Sequence, residues 1–218
     1  MSTIVWDLEI QKRIVPTDPT SRSAEETTAL AEGRAVEGWP AAPLAGISCA
    51  VAYEIERRRY RVFGDTLAEH QALAGLLVRA ARVVGYNHVN FDYAVLAVAT
   101  GIPRAELTDV DADPGDRDWD LLQMLWGGIG RRQLGRGSGN SLNDVSRATL
   151  GAAVGGKTGD GAQAPELYQA GRWGELVDYC LRDVDLTARL YERAAEGAAF
   201  ITGEGRVVAP RHPAQWFR

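Results

Sequence analysis

Ile4-Val5-Trp6-Asp7-Leu8-Glu9-Ile10 is the stretch whose reading decides the fold. Side chains alternate faces along a β-strand. Ile4, Trp6, Leu8 and Ile10 therefore form an apolar face, while Asp7 and Glu9 stand together on the other. Two carboxylates on one face at the end of an apolar strand repel each other and gain nothing from packing. A divalent cation bound by hard oxygen ligands would remove that cost. The competing reading is an exposed edge strand that turns its polar residues to water, a common arrangement in antiparallel sheets. Context further along the chain decides between the two.

Length and composition bound the answer. A chain of 218 residues is long enough for one substantial core and is read as one domain over 1–218. No apolar run approaches membrane-spanning length, and no charged-then-apolar N-terminal segment marks secretion. Cys49 and Cys180 stand apart from any metal-ligand spacing, so free thiols in a reducing cytoplasm are expected. The net charge of −5 supplies no global basic field to attract nucleic acid. That disfavours a pure nucleic-acid-binding module, but not an enzyme that brings cations to its substrate.

Outward from the first strand, residues 11–43 are rich in Pro, Thr, Ser, Glu and Ala and read as an excursion from the sheet. Within it, Ser23-Ala24-Glu25-Glu26 has capping-box spacing and predicts a short helix to about Arg34. Residues 47–53 and 60–63 read as two strands joined by the charged stretch 54–59, whose Arg57, Arg58 and Arg59 face water or a nucleic acid. Residues 66–81 carry Leu67, Leu73, Leu76 and Leu77 at helical spacing, with His70 a packed or surface residue rather than a ligand. A short apolar strand, 83–86, leads into Asn87-His88-Val89-Asn90-Phe91-Asp92 and a helix over 91–100, stopped by Gly101 and Pro103. Asp92 thus falls in the first turn of a helix beyond a strand end, the rim where open α/β sheets bind ligands. The plainer account is an acid placed to favour the helix dipole.

Two motifs are decoys. Residues 109–115 begin like a calcium loop, but Pro114 stands where the sharp turn requires glycine. Residues 151–158 match G-x-x-x-x-G-K-T in full, yet a P-loop needs a strand before it and a helix after it. Here a predicted helix, 141–150, precedes it, and Gly159-Asp160-Gly161 follows. Lys157 remains a candidate for touching a phosphate of some other ligand. Residues 119–125 read as a short strand passing into helix, with Asp120 a cap or supporting residue more than a ligand. Arg131, Arg132 and Arg136 in the glycine-rich stretch 127–139 are better candidates for phosphate contact than the earlier arginines. A long helix over 174–195 has the inward stripe Leu176, Cys180, Leu186 and Leu190. Tyr179 and Asp183, at i and i+4, share that face, where an unpaired carboxylate would be costly. Residues 199–218 read as a small hairpin and a polar tail.

Taken together, these acids resemble the DEDD superfamily of 3′–5′ exonucleases. Asp7-Leu8-Glu9 is similar to the first exonuclease motif. Gly85-Tyr86-Asn87 through Phe91-Asp92 resembles the second, in the form seen in proofreading domains of family-B DNA polymerases. Tyr179-Cys180-Leu181-Arg182-Asp183 resembles the third, with the Y-x-x-x-D spacing of the tyrosine subclass. The likeness runs from the first strand to about Tyr191. It departs from the pattern in the 11–43 excursion, read as a lid or rim, and in the lack of any polymerase-like segment. The resemblance implies an α/β, RNase H-like fold with a mixed five-stranded sheet flanked by helices. It also implies hydrolysis at the 3′ end of single-stranded nucleic acid, DNA favoured over RNA, by the chain alone or within a replication or repair assembly. Two Mg²⁺ or Mn²⁺ ions are implied, held by Asp7, Glu9, Asp92 and Asp183, with Tyr179 orienting the attacking water. Leu8 and Phe91 are candidates to flank the terminal base or sugar, or are plain core; Asn87 either bonds the substrate or caps the helix. The alternative is a non-catalytic nucleic-acid-binding module of the same fold, disfavoured because all four acids and the tyrosine are present.

Overall fold

The computed structural model describes residues 2–108, 117–126, 139–151 and 163–211. Strand β1 (Thr3–Ile10) is not at an edge: it is the third strand of five. After it come a short strand β2 (Arg13–Val15), helix α1 (Ala24–Ala31) and strand β3 (Ala35–Glu37). The sheet resumes with β4 (Ile47–Glu54) and β5 (Arg59–Phe63). Then follow α2 (Leu67–Val78), β6 (Arg82–Gly85), α3 (Asp92–Thr100), α4 (Arg104–Leu107), β7 (Asp118–Asp120) and α5 (Leu121–Trp126). The chain closes with α6 (Leu142–Leu150), α7 (Ala164–Gln169), α8 (Trp173–Ala195) and the hairpin β8 (Phe200–Ile201) and β9 (Val207–Val208). The order is β5-β4-β1-β6-β7, with β1 antiparallel to β4 and parallel to β6. It is the expected mixed sheet.

Alternation along β1 explains why helices cover both faces. Ile4, Trp6, Leu8 and Ile10 pack with Leu73 and Leu77 of α2 and Tyr93 and Leu96 of α3. Val5, on the opposite face, packs with Cys49 and Val51 of β4 and with Leu176, Cys180 and Val184 of α8. Asp7 and Glu9 lie on Val5's face, so they point beneath a helix and not into open water. Burying whole apolar side chains at about 1.5–3 kcal/mol each offsets the cost of bringing charge under α8. Among the described residues, no helix is long and apolar enough to cross a membrane.

The excursion has more order than its composition predicts. Ser23 and Glu26 form the capping box, at 3.1 and 2.7 Å, and α1 ends at Ala31, before the predicted Arg34. Around it β2 and β3 pair in parallel. The segment leaves β1 just past Glu9 and returns beside it: the Gln11 amide donates to the Gly46 carbonyl and Lys12 to Ala45, both at 3.1 Å. Gln169 of α7 donates to the carbonyls of Gln11 and Arg34, at 2.8 and 3.0 Å, and Glu166 pairs with Arg13. The excursion is therefore fastened to the rim at the C-terminal end of β1.

The charged turn after β4 is also more structural than predicted. Glu54 is buried and collects Arg57, Arg59 and Arg61 at 2.9, 2.7 and 2.6 Å. All three arginines of the turn are exposed to water as expected, and two of them, Arg57 and Arg59, also pair with Glu54; Arg58 takes the left-handed turn position, with φ 49°. Burial alone would raise the Glu54 carboxyl, but the hydrogen bonds and charges of Arg59 and Arg61 outweigh it and hold it at about 2. Glu54→Gln is expected to lose about 1–3 kcal/mol, read as a shift in urea midpoint. A depressed carboxyl contributes stability above its ordinary value, near 4.5, and loses it as pH falls toward 2. The difference between wild type and variant should therefore shrink across that acid window, and a constant difference would assign the loss to packing.

Candidate functional site

The site is built from β1 and α8. Asp7 and Glu9 face Val51 and Cys49 across the β1–β4 ladder. α8 crosses above them, its Cys180 Sγ 3.5 Å from the Asp7 carbonyl oxygen and 4.0 Å from Asp7 Oδ2. Ligand-capable atoms of Asp7, Glu9 and Cys180 all lie within 4.8 Å of one another. Tyr179 and Asp183 are buried on the same helix, with Asp183 one turn beyond Cys180. Sequence reasoning placed Cys180 in the apolar stripe and missed its place among the acids. Its only signal was its position three residues before Asp183. Burial, then the neighbouring Cys49 and the charge of Asp7, push the Cys180 thiol well above its usual range, so it stands there as a neutral thiol.

Asp92 arrives from the other side. β6 runs beside β1 only as far as Val5, and beyond that point the Leu8 amide donates to Asp92 Oδ1 at 3.2 Å. Asp92 opens α3 and is 2 % exposed. Burial pushes its carboxyl up to about 7, although the charge of His88 pulls the other way. The dipole account of this acid is thus incomplete: the side chain reaches across to the strand that carries Asp7 and Glu9.

A second set of acids holds the turn that presents Asp92. Asp120, wholly buried at the end of β7, accepts the amides of Asn87, Val89, Leu122 and Gln123 at 2.9–3.1 Å. One carboxylate therefore caps α5 and fixes the 87–89 turn, where Asn87 sits at φ +70°. His88 lies between Asp118 and Asp120, each 3.6 Å from a ring nitrogen, beyond hydrogen-bond distance and forming ion pairs when the ring is protonated. Asp118 also accepts the hydroxyls of Tyr93 and Thr108, both at 2.6 Å. Burial works against a charged imidazole, but Asp118 and Asp120 outweigh it and raise His88. Gly85 is needed here, because a Cβ would stand 2.7 Å from the His88 ring.

The remaining expected residues divide. Leu8 is core, packed with Trp6 and Tyr93. Phe91 is half-buried beside Asp92. Of the two roles for Asn87, side-chain capping is not what occurs: the N-terminus of α3 has no side-chain cap, and the Asn87 carbonyl accepts the Asn90 and Phe91 amides. His70 is packed on α2, one of the two places expected for it. Arg131, Arg132, Arg136 and Lys157 lie outside the described residues, as does most of the calcium-like and P-loop-like stretches. Gly151 ends α6, so a helix does precede that glycine motif. A cavity of about 570 Å³ between α7 and α8 reaches Tyr179.

No model of a known protein family matches the chain, and no curated protein matches it. Among solved structures it is similar to the family B DNA polymerase from the hyperthermophilic archaeon Pyrobaculum calidifontis, with a TM-score of 0.58 and 16% identity. The similarity covers 89% of this chain and 24% of that one, so the chain spans about a quarter of its length. At that identity the likeness is one of fold: an RNase H-like α/β arrangement around a mixed five-stranded sheet.

Proposed function

We propose that the chain is a metal-dependent 3′–5′ exonuclease acting on single-stranded nucleic acid, DNA in preference to RNA. One observation carries the reading. Asp7 and Glu9 are held together beneath α8, and Asp92 is anchored to the amide of the residue between them. The order and spacing of the three motifs support it, as does a fold similar to that of a family B DNA polymerase.

The donor set suits a hard divalent cation. Asp7, Glu9, Asp92 and Asp183 offer carboxylate oxygens, the preferred ligands of Mg²⁺ and Mn²⁺. The nearby Cys180 is one sulfur beside four carboxylates, a set dominated by hard oxygen donors. Buried Asp92, pushed up to about 7, is a carboxyl that a neighbouring positive charge would ionise. These carboxylates would hold a pair of such ions, which would supply charge to neutralise the phosphodiester and acidify a water. The residues themselves position and exclude. Asp7 and Glu9 offer ligands from a rigid central strand, Asp183 from α8 and Asp92 from the braced turn. The Tyr179 hydroxyl, one helical turn from Asp183, orients the water.

Chelation tests this directly. End-labelled single-stranded DNA and RNA should be shortened from the 3′ end with Mn²⁺ or Mg²⁺, and not at all in EDTA. A 3′-terminal block should prevent cleavage, while a 5′ block should leave it unchanged. Undiminished cleavage in chelator, or mononucleotides released from the 5′ end, would sink the reading.

A further inference from the structure

The excursion carries an aromatic side chain to the rim of the acidic site. Trp39 opens a 3-10 turn, Trp39–Ala45, that packs along α3. Its ring meets Phe91 in a T-shaped contact, centroids 6.1 Å apart and planes 74° apart, and Phe91 immediately precedes Asp92. An edge-to-face contact leaves ring surface open, and Trp39 is 51% exposed. Leu44, on the same turn, is 61% exposed. Isolated exposed apolar residues need no explanation, but a tryptophan one ring away from a proposed metal ligand is differently placed.

The turn is held, which separates it from a loop whose aromatic merely happens to face water. The Gly38 amide donates to the Val15 carbonyl at 2.8 Å and the Ala41 amide to the Gly38 carbonyl at 3.1 Å. Pro40 and Pro43 restrict the backbone between them. Gly38 itself sits at φ +71°, and a Cβ there would stand 2.7 Å from the Thr17 hydroxyl. Charge over residues 11–46 is nearly balanced, with four Lys and Arg against five Asp and Glu. Arg13, Arg22 and Arg34 of the excursion are each tied to an acid, whereas Lys12, bonded through its amide to the end of this turn, has no ion pair among the described residues.

We infer that Trp39 is a base-stacking residue that receives an unpaired nucleobase of the substrate strand as the 3′ end enters the acidic site. The inference rests on the exonuclease reading and deepens it, because it assigns part of the single-strand preference to the excursion. A base inside a duplex is already stacked on both faces and has none to offer. An unpaired base does, and an aromatic platform accepts any base because each has a π-face.

The test measures binding and cleavage separately. Binding of a labelled single-stranded oligonucleotide is followed by anisotropy in EDTA, where nothing is cut. Cleavage is followed in Mn²⁺. Trp39→Ala should weaken binding and raise KM by roughly 5- to 100-fold. Its kcat at saturation should change little, and Trp39→Phe should recover most of the loss. In wild type, removing one base at a time by abasic substitution should reveal a position with a matching loss, and that loss should vanish in Trp39→Ala. Unchanged oligonucleotide affinity in Trp39→Ala, with wild type still cutting, overturns the inference alone and leaves this face to a protein partner. Equal losses in the Phe and Ala variants, together with a lowered melting temperature, also overturn it, as a packing role. If wild type binds the strand through Trp39 but cuts nothing with any divalent ion, stacking stands and the exonuclease reading falls.

Discussion

Asp7→Asn is expected to reduce metal-dependent cleavage by at least about 10³-fold while leaving the protein folded and more stable without metal. The substitution preserves the shape and polarity of the side chain at a position that is already accommodated in β1. It removes one negative charge from a cluster that holds Asp7 and Glu9 within 4.8 Å. In the absence of a cation that charge is a burden, so the melting temperature in EDTA should rise. Asp183→Asn should behave alike, since Asp183 is buried one turn from the sulfur that touches Asp7. Tyr179→Phe is the contrasting case. It keeps the ring and its packing and removes only a hydroxyl, so the rate should fall by about 10²-fold or less. Its Mn²⁺ titration midpoint should stay near that of wild type. The comparison is made side by side, by rate and by Mn²⁺ titration. Wild-type cleavage in Asp183→Asn together with full activity in Tyr179→Phe would make α8 a structural helix and its motif a coincidence.

Much of this site is legible from period alone. Alternation along residues 4–10 sets Asp7 and Glu9 on one face, and the i, i+4 spacing sets Tyr179 and Asp183 on another, with no tertiary knowledge needed. The same alternation is silent on whether β1 lies at an edge or in the centre. Ile4, Trp6, Leu8 and Ile10 would read identically in either place, and the pairing of β1 with both β4 and β6 tells them apart. Cys180 is likewise ambiguous, because a buried thiol in a helix stripe looks the same whether it meets leucine or aspartate. The arginines after β4 resemble a solvated charge run because Glu54, which gathers them, differs from an exposed glutamate only by its burial. The β2–β3 pair consists of two triplets separated by a helix, too short to carry a period. Asp120 shows the limit most clearly. Its role as a cap follows from its place before a helix, but its grip on Asn87 and Val89 depends on β6 and β7 lying in parallel.

That grip makes Asp120→Ala the largest stability loss expected among the described residues. Four backbone amides donate to one wholly buried carboxylate, three of them to Oδ1 and that of Val89 to Oδ2. Truncation leaves them without an acceptor in a place with little room for water. Each orphaned buried donor costs about 1–3 kcal/mol, with relaxation sharing the losses, so a total on the order of 3–5 kcal/mol is expected in denaturant unfolding. Asp120→Asn should cost less, because it keeps an oxygen for the three Oδ1 contacts and loses only the one to Val89 and a charge. The charge has its own signature. Burial raises Asp120, and Asp92 to about 7, and the acids around His88 raise that ring as well. A group whose folded value is raised holds its proton more tightly when folded, so stability falls as pH rises through the window between unfolded and folded values. For Asp92 that window runs from about 4 to about 7, and for His88 it begins near 6.5 and extends upward. Asp118 is lowered and acts with opposite sign, but only below the ordinary aspartate value near 3.8. Measured in EDTA, wild type should therefore lose stability from pH 5 to pH 8, and Asp120→Asn should show a shallower slope because His88 loses one of the acids that raise it. A slope of the same steepness in that variant would mean that Asp118 alone sets the ring's charge. An Asp120→Ala protein as stable as wild type would remove Asp120 as the brace of the turn that presents Asp92.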